Sequence, residues 1–326
     1  KKSSASLSIE NRESGIMKIF SGRSNQTLAV EIAEQIGTPL GKVEIRQFSD
    51  GELWVQYAEN IRGEDLFIIQ STHPPAENIL ELVLLIDAAV RASADRVTAV
   101  IPYYGYGRQD RKDQPRVPIS ARVMIDLLSS VGVNRILTMD LHSSQIQGFT
   151  ALPFDHLYAR QVLFDRLRKL ELQPDGTTIL APDVGSAPMA QSFAKHLGVG
   201  FALIDKRRTA PNKAEVMHLI GDLDGKQVII LDDMIDTGGT IVNACREALD
   251  NRAESVIAVA THGIFSGDAP KNFSGSGVEK VIVTNTVSLS ENRKFDKLEV
   301  ISVAGLFARA IECTHNGESI SALFEF

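Results

Sequence analysis

The sequence predicts an α/β protein made of two similar halves, each with a central, mainly parallel sheet. Three observations carry that expectation. Apolar, β-branched runs alternate with amphipathic stretches along the chain, and such runs read as strands buried on both faces. The two halves resemble each other at a near-constant spacing, which marks an internal duplication. The 326 residues, 44% of them hydrophobic, are enough for two domains of ordinary size.

Residues 1–16 are polar, carry Glu10 and Glu13, and lack the apolar core of a signal peptide; they read as a flexible tail. After them, the runs 65–70, 97–101, 135–139, 227–231 and 255–260 read as strands. The stretches 79–91, 119–130 and 240–250 read as helices. That order predicts α/β layering. The repeat pairs Ile19 with Leu180, Gly37 with Gly198 and Ile69 with Ile230, each 161 residues apart. It pairs Val97 with Val256 at 159. The expected division is a first domain over 17–160, a second over 161–315, and a final segment, 316–326, packing back on the first.

The net charge of −7 argues against a general nucleic-acid binder, because phosphate backbones need a basic surface. The two cysteines, Cys245 and Cys313, show no metal or disulfide spacing, which fits a reducing cytoplasm. No apolar run is long enough to span a membrane. A soluble, cytoplasmic protein is expected.

The repeat is informative where it fails. After Ile230 the chain reads LDDMIDTGGT, whereas after Ile69 it reads QSTHPPAEN. Only the second copy has aspartates and glycines at this turn. A strand that ends in acids and leads through glycines into a helix presents outward-pointing N–H groups to a phosphate. Gly238 and Gly239 let the backbone approach closely, and Thr237 and Thr240 add hydroxyl donors. Asp232, Asp233 and Asp236 are acceptors for sugar hydroxyls or a divalent cation. Such a loop lies at the carboxyl end of its strand, where open α/β sheets bind ligands.

Four further stretches carry chemistry. In GYGRQDRKDQPRVPIS (105–120), Arg108, Arg111 and Lys112 put positive charge after a strand, suited to a polyphosphate or to solvent. FSDGE (48–52) alone reads as a hairpin tip. DLHSSQIQGF (140–149) places His142 after a strand, where it is either a structural histidine or a cation ligand. IDKRR (204–208) is a dense positive cluster that suits either solvent or an anion.

These motifs, with the C-terminal NGESISALF, resemble ribose-phosphate diphosphokinases (phosphoribosyl diphosphate synthetases) of the phosphate-activated bacterial type. The resemblance runs from about Met17 to the C-terminus, and DDMIDTGGT is similar to the ribose-5-phosphate loop of type I phosphoribosyltransferase folds. It implies two type I phosphoribosyltransferase-like domains and transfer of a diphosphoryl group from Mg·ATP to the C1 hydroxyl of ribose 5-phosphate. AMP and 5-phosphoribosyl 1-diphosphate, a precursor for nucleotide and amino-acid biosynthesis, are the implied products.

The resemblance also implies residue roles. Phe48 packs on adenine; Asp50, Gly51 and Glu52 complete that pocket. Arg108, Gln109 and Asp110 bind ATP. His142 and Asp183 contact Mg²⁺. Lys206 and Arg208 are catalytic, with Arg208 also on ribose 5-phosphate. Asp232 and Asp233 face the ribose hydroxyls, while Asp236, Thr237, Gly238, Gly239 and Thr240 hold the 5-phosphate. Arg62, Ser319 and Ser321 match positions near a regulatory site, a solvated terminus being the other reading of the two serines. A homo-oligomer, often a hexamer, with phosphate as activator is implied, with no nucleic-acid or membrane partner. The alternatives are a catalytically silent regulatory homologue and a phosphoribosyltransferase. One departure is the stretch PDVGSAPMAQSF, with Ser186 for a second glycine and no arginine before Lys195.

Overall fold

The computed structural model describes residues 15–207 and 216–323. Most of the tail expected over 1–16, together with Arg208, lies outside them. The first half runs β1 (Met17–Ser21), α1 (Gln26–Ile36), β2 (Val43–Gln47), β3 (Leu53–Tyr57), β4 (Asp65–Ile69), α2 (Glu77–Arg91), β5 (Arg96–Ile101), α3 (Ser120–Ser130), β6 (Arg135–Met139) and β7 (Phe154–Leu157). The second runs α4 (Arg160–Arg168), β8 (Thr177–Ala181), α5 (Ala187–Leu197), β9 (Gly200–Arg207), β10 (Val216–Ile220), β11 (Gln227–Ile235) and α6 (Gly239–Asp250). It ends with β12 (Ser255–Gly263), α7 (Ala269–Ser274), β13 (Lys280–Thr284), β14 (Leu298–Ile301) and α8 (Ala304–Asn316).

The two halves share one strand order. The first sheet is β1-β4-β5-β6-β7 and the second is β10-β9-β8-β11-β12-β13-β14. Advancing each strand of the first sheet by seven reproduces the core of the second. Pairing is parallel except for antiparallel β9 with β10 and the separate hairpin β2-β3. In the second half the hairpin joins the sheet through β9; in the first it stands apart from it.

The duplication is confirmed, but its register is corrected. Gly37 and Gly198 both close their helices in the left-handed conformation, with φ of 75° and 69°, as glycine does at a helix end. The helices α1 and α5 therefore match at 161. The strands β1 and β8 match at 160 instead. At 161, Ile19 and Ile69 face one core while their expected partners Leu180 and Ile230 face another. A slip of one residue reverses the face of every strand side chain. The turn from β8 to α5 is one residue longer than the turn from β1 to α1, which absorbs the difference.

The core reflects the layering. One continuous cluster takes the inner faces of both sheets, through Ile19, Phe67 and Ile69 and through Ile179, Leu231 and Ile257, with α1, α4, α5 and α8. Ile320 and Leu323 of the final segment pack into it. Outer cores lie under α2 and α3 on the first sheet and under α6 and α7 on the second. Among the described residues, no helix is long and apolar enough to cross a membrane.

Candidate active site

Residues 228–231 of β11 are apolar and buried between β8 and β12. The strand runs on past the acids to Ile235 because Asp232, Met234 and Ile235 continue the ladder with Ala260, His262 and Gly263 of β12. The sequence reading ended this strand at Leu231, so Asp232 and Asp233 belong to the strand and not to the turn. Backbone pairing outweighs the poor strand propensity of aspartate here.

The turn follows at once. Gly238 takes φ 77°, and a Cβ there would lie 2.7 Å from the Phe273 ring. Only glycine fits that approach without a shift. Gly238 is also the N-cap of α6 and offers no capping side chain. The first amides of α6 therefore keep their hydrogen-bonding capacity for an anion.

A cavity of about 860 Å³ opens over this loop, lined by Asp232, Asp233 and residues 236–240. Asp183, after β8, forms another wall. The first half supplies Arg108 and His142. Arg108 Nη1 donates to Asp236 Oδ2 at 2.8 Å, and His142 Nδ1 lies 2.7 Å from Asp233 Oδ2. Both contacts cross between the halves, so the carboxyl ends of the two sheets meet at one site.

The carboxylates are electrostatically unequal. Burial, with Asp233 and Asp183 nearby, pushes the Asp232 carboxyl up to about 8. Burial also acts to raise Asp233, but its hydrogen bond with His142 prevails and holds it below the ordinary value. The same hydrogen bond raises His142. Asp232 is thus the member of the carboxylate pair that holds a proton, and Asp233 the anionic one. No cluster of three or more metal-ligating side chains occurs among the described residues. Asp183 suits a cation shared with substrate phosphates, the usual manner of Mg²⁺, and His142 lines the same cavity.

Other expected residues lie elsewhere. Phe48, Asp50, Gly51 and Glu52 form the tip of the β2-β3 hairpin. There the Phe48 amide donates to the Glu52 carbonyl at 2.8 Å and Gly51 takes φ 98°. Among the described residues, the cavity lining includes none of these four. Gln109 accepts a hydrogen bond from Ser120 at the start of α3, and it and Asp110 stand outside the lining. Lys206 falls near the end of β9. Arg62 Nη1 donates to Ser93 Oγ at 3.3 Å, and Ser319 Oγ donates to Ser321 Oγ at 2.9 Å. Arg96 donates to the Thr314 carbonyl and His315 Nδ1 meets Asp65 Oδ2, so the end of α8 rests against the starts of β4 and β5.

Sequence reasoning missed several lining residues. Asp140, Tyr158, Arg160 and Ser186 all reach the cavity. The Arg160 guanidinium lies 5.1 Å from the centre of the Tyr158 ring. Ser186, the departure in PDVGS, donates from its amide to Asp183 Oδ1 at 3.1 Å and from its hydroxyl to the Asp183 carbonyl at 3.1 Å. Tyr158 and Arg160 follow β7, and a position after a parallel strand was the available signal.

Comparison with known proteins agrees with this arrangement. Residues 17–132 match the family model for the N-terminal domain of ribose phosphate pyrophosphokinase. Residues 206–325 match that for the phosphoribosyl synthetase-associated domain. A ribose-phosphate pyrophosphokinase of Chlorobaculum tepidum is 50% identical over 309 residues, covering 95% of each chain. One from Aquifex aeolicus is 48% identical, covering 94% of this chain and 99% of the relative. The crystal structure of a phosphoribosylpyrophosphate synthetase from Mycobacterium smegmatis superposes with a TM-score of 0.87 at 38% identity, over 93% of this chain and 99% of that one. With relatives this similar along almost its whole length, the chain belongs to the ribose-phosphate pyrophosphokinase family.

Proposed function

We propose that this protein transfers the diphosphoryl group of Mg·ATP to the C1 hydroxyl of ribose 5-phosphate, giving 5-phosphoribosyl 1-diphosphate and AMP. The observation that carries the reading is one shared cavity where Arg108 and His142 of one half reach Asp236 and Asp233 of the other. Two substrates need two sets of groups facing each other, and the family membership supports the same pairing.

In this reading the loop 236–240 takes the 5-phosphate through the α6 amides and the threonine hydroxyls. Asp232 and Asp233 accept from the ribose hydroxyls. Arg108, with Gln109 and Asp110, holds ATP, and Phe48, Asp50, Gly51 and Glu52 complete the adenine pocket. His142 and Asp183 contact the Mg²⁺ of Mg·ATP, which neutralises phosphate charge. The C1 hydroxyl attacks the β-phosphorus in line, and AMP leaves. Such a step depends mostly on positioning and charge stabilisation. Lys206 and Arg208 are the cations assigned to that charge.

The resemblance further supports a cytoplasmic homo-hexamer of two-domain chains, divided near residue 160. It also supports activation by phosphate at a site that includes Arg62, Ser319 and Ser321. The deciding experiment is to mix the purified protein with ATP, Mg²⁺ and ribose 5-phosphate and to follow AMP and 5-phosphoribosyl 1-diphosphate by chromatography. AMP should form only when both substrates are present. Base-dependent consumption of 5-phosphoribosyl 1-diphosphate without AMP release would favour a phosphoribosyltransferase instead.

A further inference from the structure

Asp140 follows β6 and precedes His142 by two residues. Its backbone takes φ 38°, a left-handed conformation that a non-glycine residue keeps only where its surroundings over-determine it. The surroundings do so here. Asp140 Oδ2 accepts from the Thr261 hydroxyl at 2.6 Å and from the Ala159 amide at 3.0 Å. Its carbonyl lies 3.0 Å from His262 Nε2. Thr261 and His262 belong to β12 of the other half and are fully buried.

The chain of hydrogen bonds closes on itself. The Asp140 carbonyl can only accept, so His262 carries its proton on Nε2. His262 Nδ1 then accepts, and the Thr286 hydroxyl at 2.8 Å donates to it. Thr284 donates its hydroxyl to the Thr261 carbonyl at 2.7 Å. On the first half, the Leu141 amide donates to His156 Nε2 at 2.8 Å. The residue before His142 is therefore pinned as well. The donors of Thr261, His262, Thr284 and Thr286 each find an acceptor, which is what makes a buried polar network rigid.

We infer that Asp140, Thr261 and His262 form a clasp across the two halves that holds the loop bearing His142 in place for the phosphates of Mg·ATP. They are positioning residues. Asp140 Oδ2 is taken up by Thr261 and Ala159, and the part of that oxygen is to fix the loop that aims His142. Together with the contact between His142 and Asp233, the clasp gives this loop two anchors on the second sheet, on either side of Leu141. A generic joint between the halves would have no reason to act two residues from a substrate contact. The inference rests on the reading of His142 as a contact to Mg·ATP.

The test compares Thr261→Val, which deletes the hydroxyl at nearly constant volume, with Thr261→Ser, which keeps it. Groups that orient a metal-contacting side chain are commonly worth about 10–100-fold in affinity or activity. Thr261→Val should raise KM for Mg·ATP within that range and leave KM for ribose 5-phosphate near its original value. Calorimetry with the full-length protein and Mg·α,β-methylene-ATP should show the same weakening without turnover. Thr261→Ser should restore both. If Thr261→Val does not fold, Thr286→Val cuts the chain one link further from Asp140 and should give the same signature. Binding of the analogue at original strength, or equal weakening of both substrates, overturns the clasp. His142→Ala separates this from the parent reading. Weakened analogue binding in His142→Ala with none in Thr261→Val also overturns the clasp. Unchanged binding in His142→Ala overturns the reading of His142 as the contact, and the aiming role with it, whatever Thr261→Val shows.

Discussion

Arg108 of the first half donates to Asp236 of the second across 2.8 Å, so a residue assigned to ATP touches the loop assigned to ribose 5-phosphate. On the proposed assignment the two substrate sites adjoin, and removing one partner should be felt at both. Asp236→Asn should weaken ribose 5-phosphate binding by about 10–100-fold, the range for losing a charge-assisted hydrogen bond, and should also raise KM for Mg·ATP. Asp232→Asn should act mainly on ribose 5-phosphate. The corresponding turn of the first half is occupied structurally: Ser71 is buried and donates to the Thr286 carbonyl at 2.6 Å. Ser71→Ala should cost stability and leave ribose 5-phosphate binding intact. Titration calorimetry decides, and equal losses of binding from both turns would refute a one-site reading.

Lys206 near the end of β9 should act on turnover. Lys206→Ala should lower kcat by on the order of 10²–10³, as expected for one preorganised electrostatic contact. KM for ribose 5-phosphate should barely change. A variant with near-normal turnover removes Lys206 from the mechanism.

The carboxylate pair makes stability depend on pH. Asp232 titrates at about 8 in the folded protein, against an ordinary value of 3.8. Between these values the folded state holds a proton that the unfolded state has lost, so stability falls as pH rises from about 4 to about 8. His142 is raised too, and its contribution is likewise lost as pH rises. Asp233 is lowered, and its contribution disappears only on acidification. The unfolding midpoint of the ligand-free protein should therefore drop between pH 6 and pH 8.5, on the order of 5 °C. Asp232→Asn should flatten that slope. Thermal unfolding at several pH values measures it, and a slope unchanged by the substitution would show that Asp232 is not the titrating group.

Much of this site was legible in the sequence because its signals are local. A buried run such as 228–231 needs only its own composition to read as a strand, and glycines before a helix need only their neighbours. Contacts between the halves have no such cue. Asp140 and Thr261 are 121 positions apart, and Arg108 and Asp236 are 128 apart. β11 is longer than the apolar run 227–231 because the ladder to β12 carries it on through the aspartates, and composition alone marks only the apolar run. The duplication was visible, but its spacing changes by one residue between strand and helix. Only the burial of Ile19 and Leu180 on different cores reveals that.

The hairpin β2-β3 leads to a prediction about assembly. Its tip carries Phe48, 56% exposed, and its strands pair only with each other among the described strands. A single exposed ring is ordinary on a protein surface, so the case for a partner rests on where the site lies. The tip residues do not line the cavity of their own chain, yet the family resemblance assigns them to the adenine pocket. Both statements hold together if the hairpin completes the site of a neighbouring subunit. An Asp50→Ala, Glu52→Ala double variant should then be nearly inactive alone, as should Lys206→Ala. Oligomers refolded from a mixture would contain some sites with an intact hairpin from one chain and an intact Lys206 from the other. Activity should return in the mixture, with at most about a quarter of the sites fully intact if chains of the two kinds combine at random in equal amounts, each site drawing its hairpin and its Lys206 independently. Native mass spectrometry establishes that mixed oligomers have formed. If they form and remain as inactive as their parents, the adenine pocket is built within one chain and the hairpin has another use.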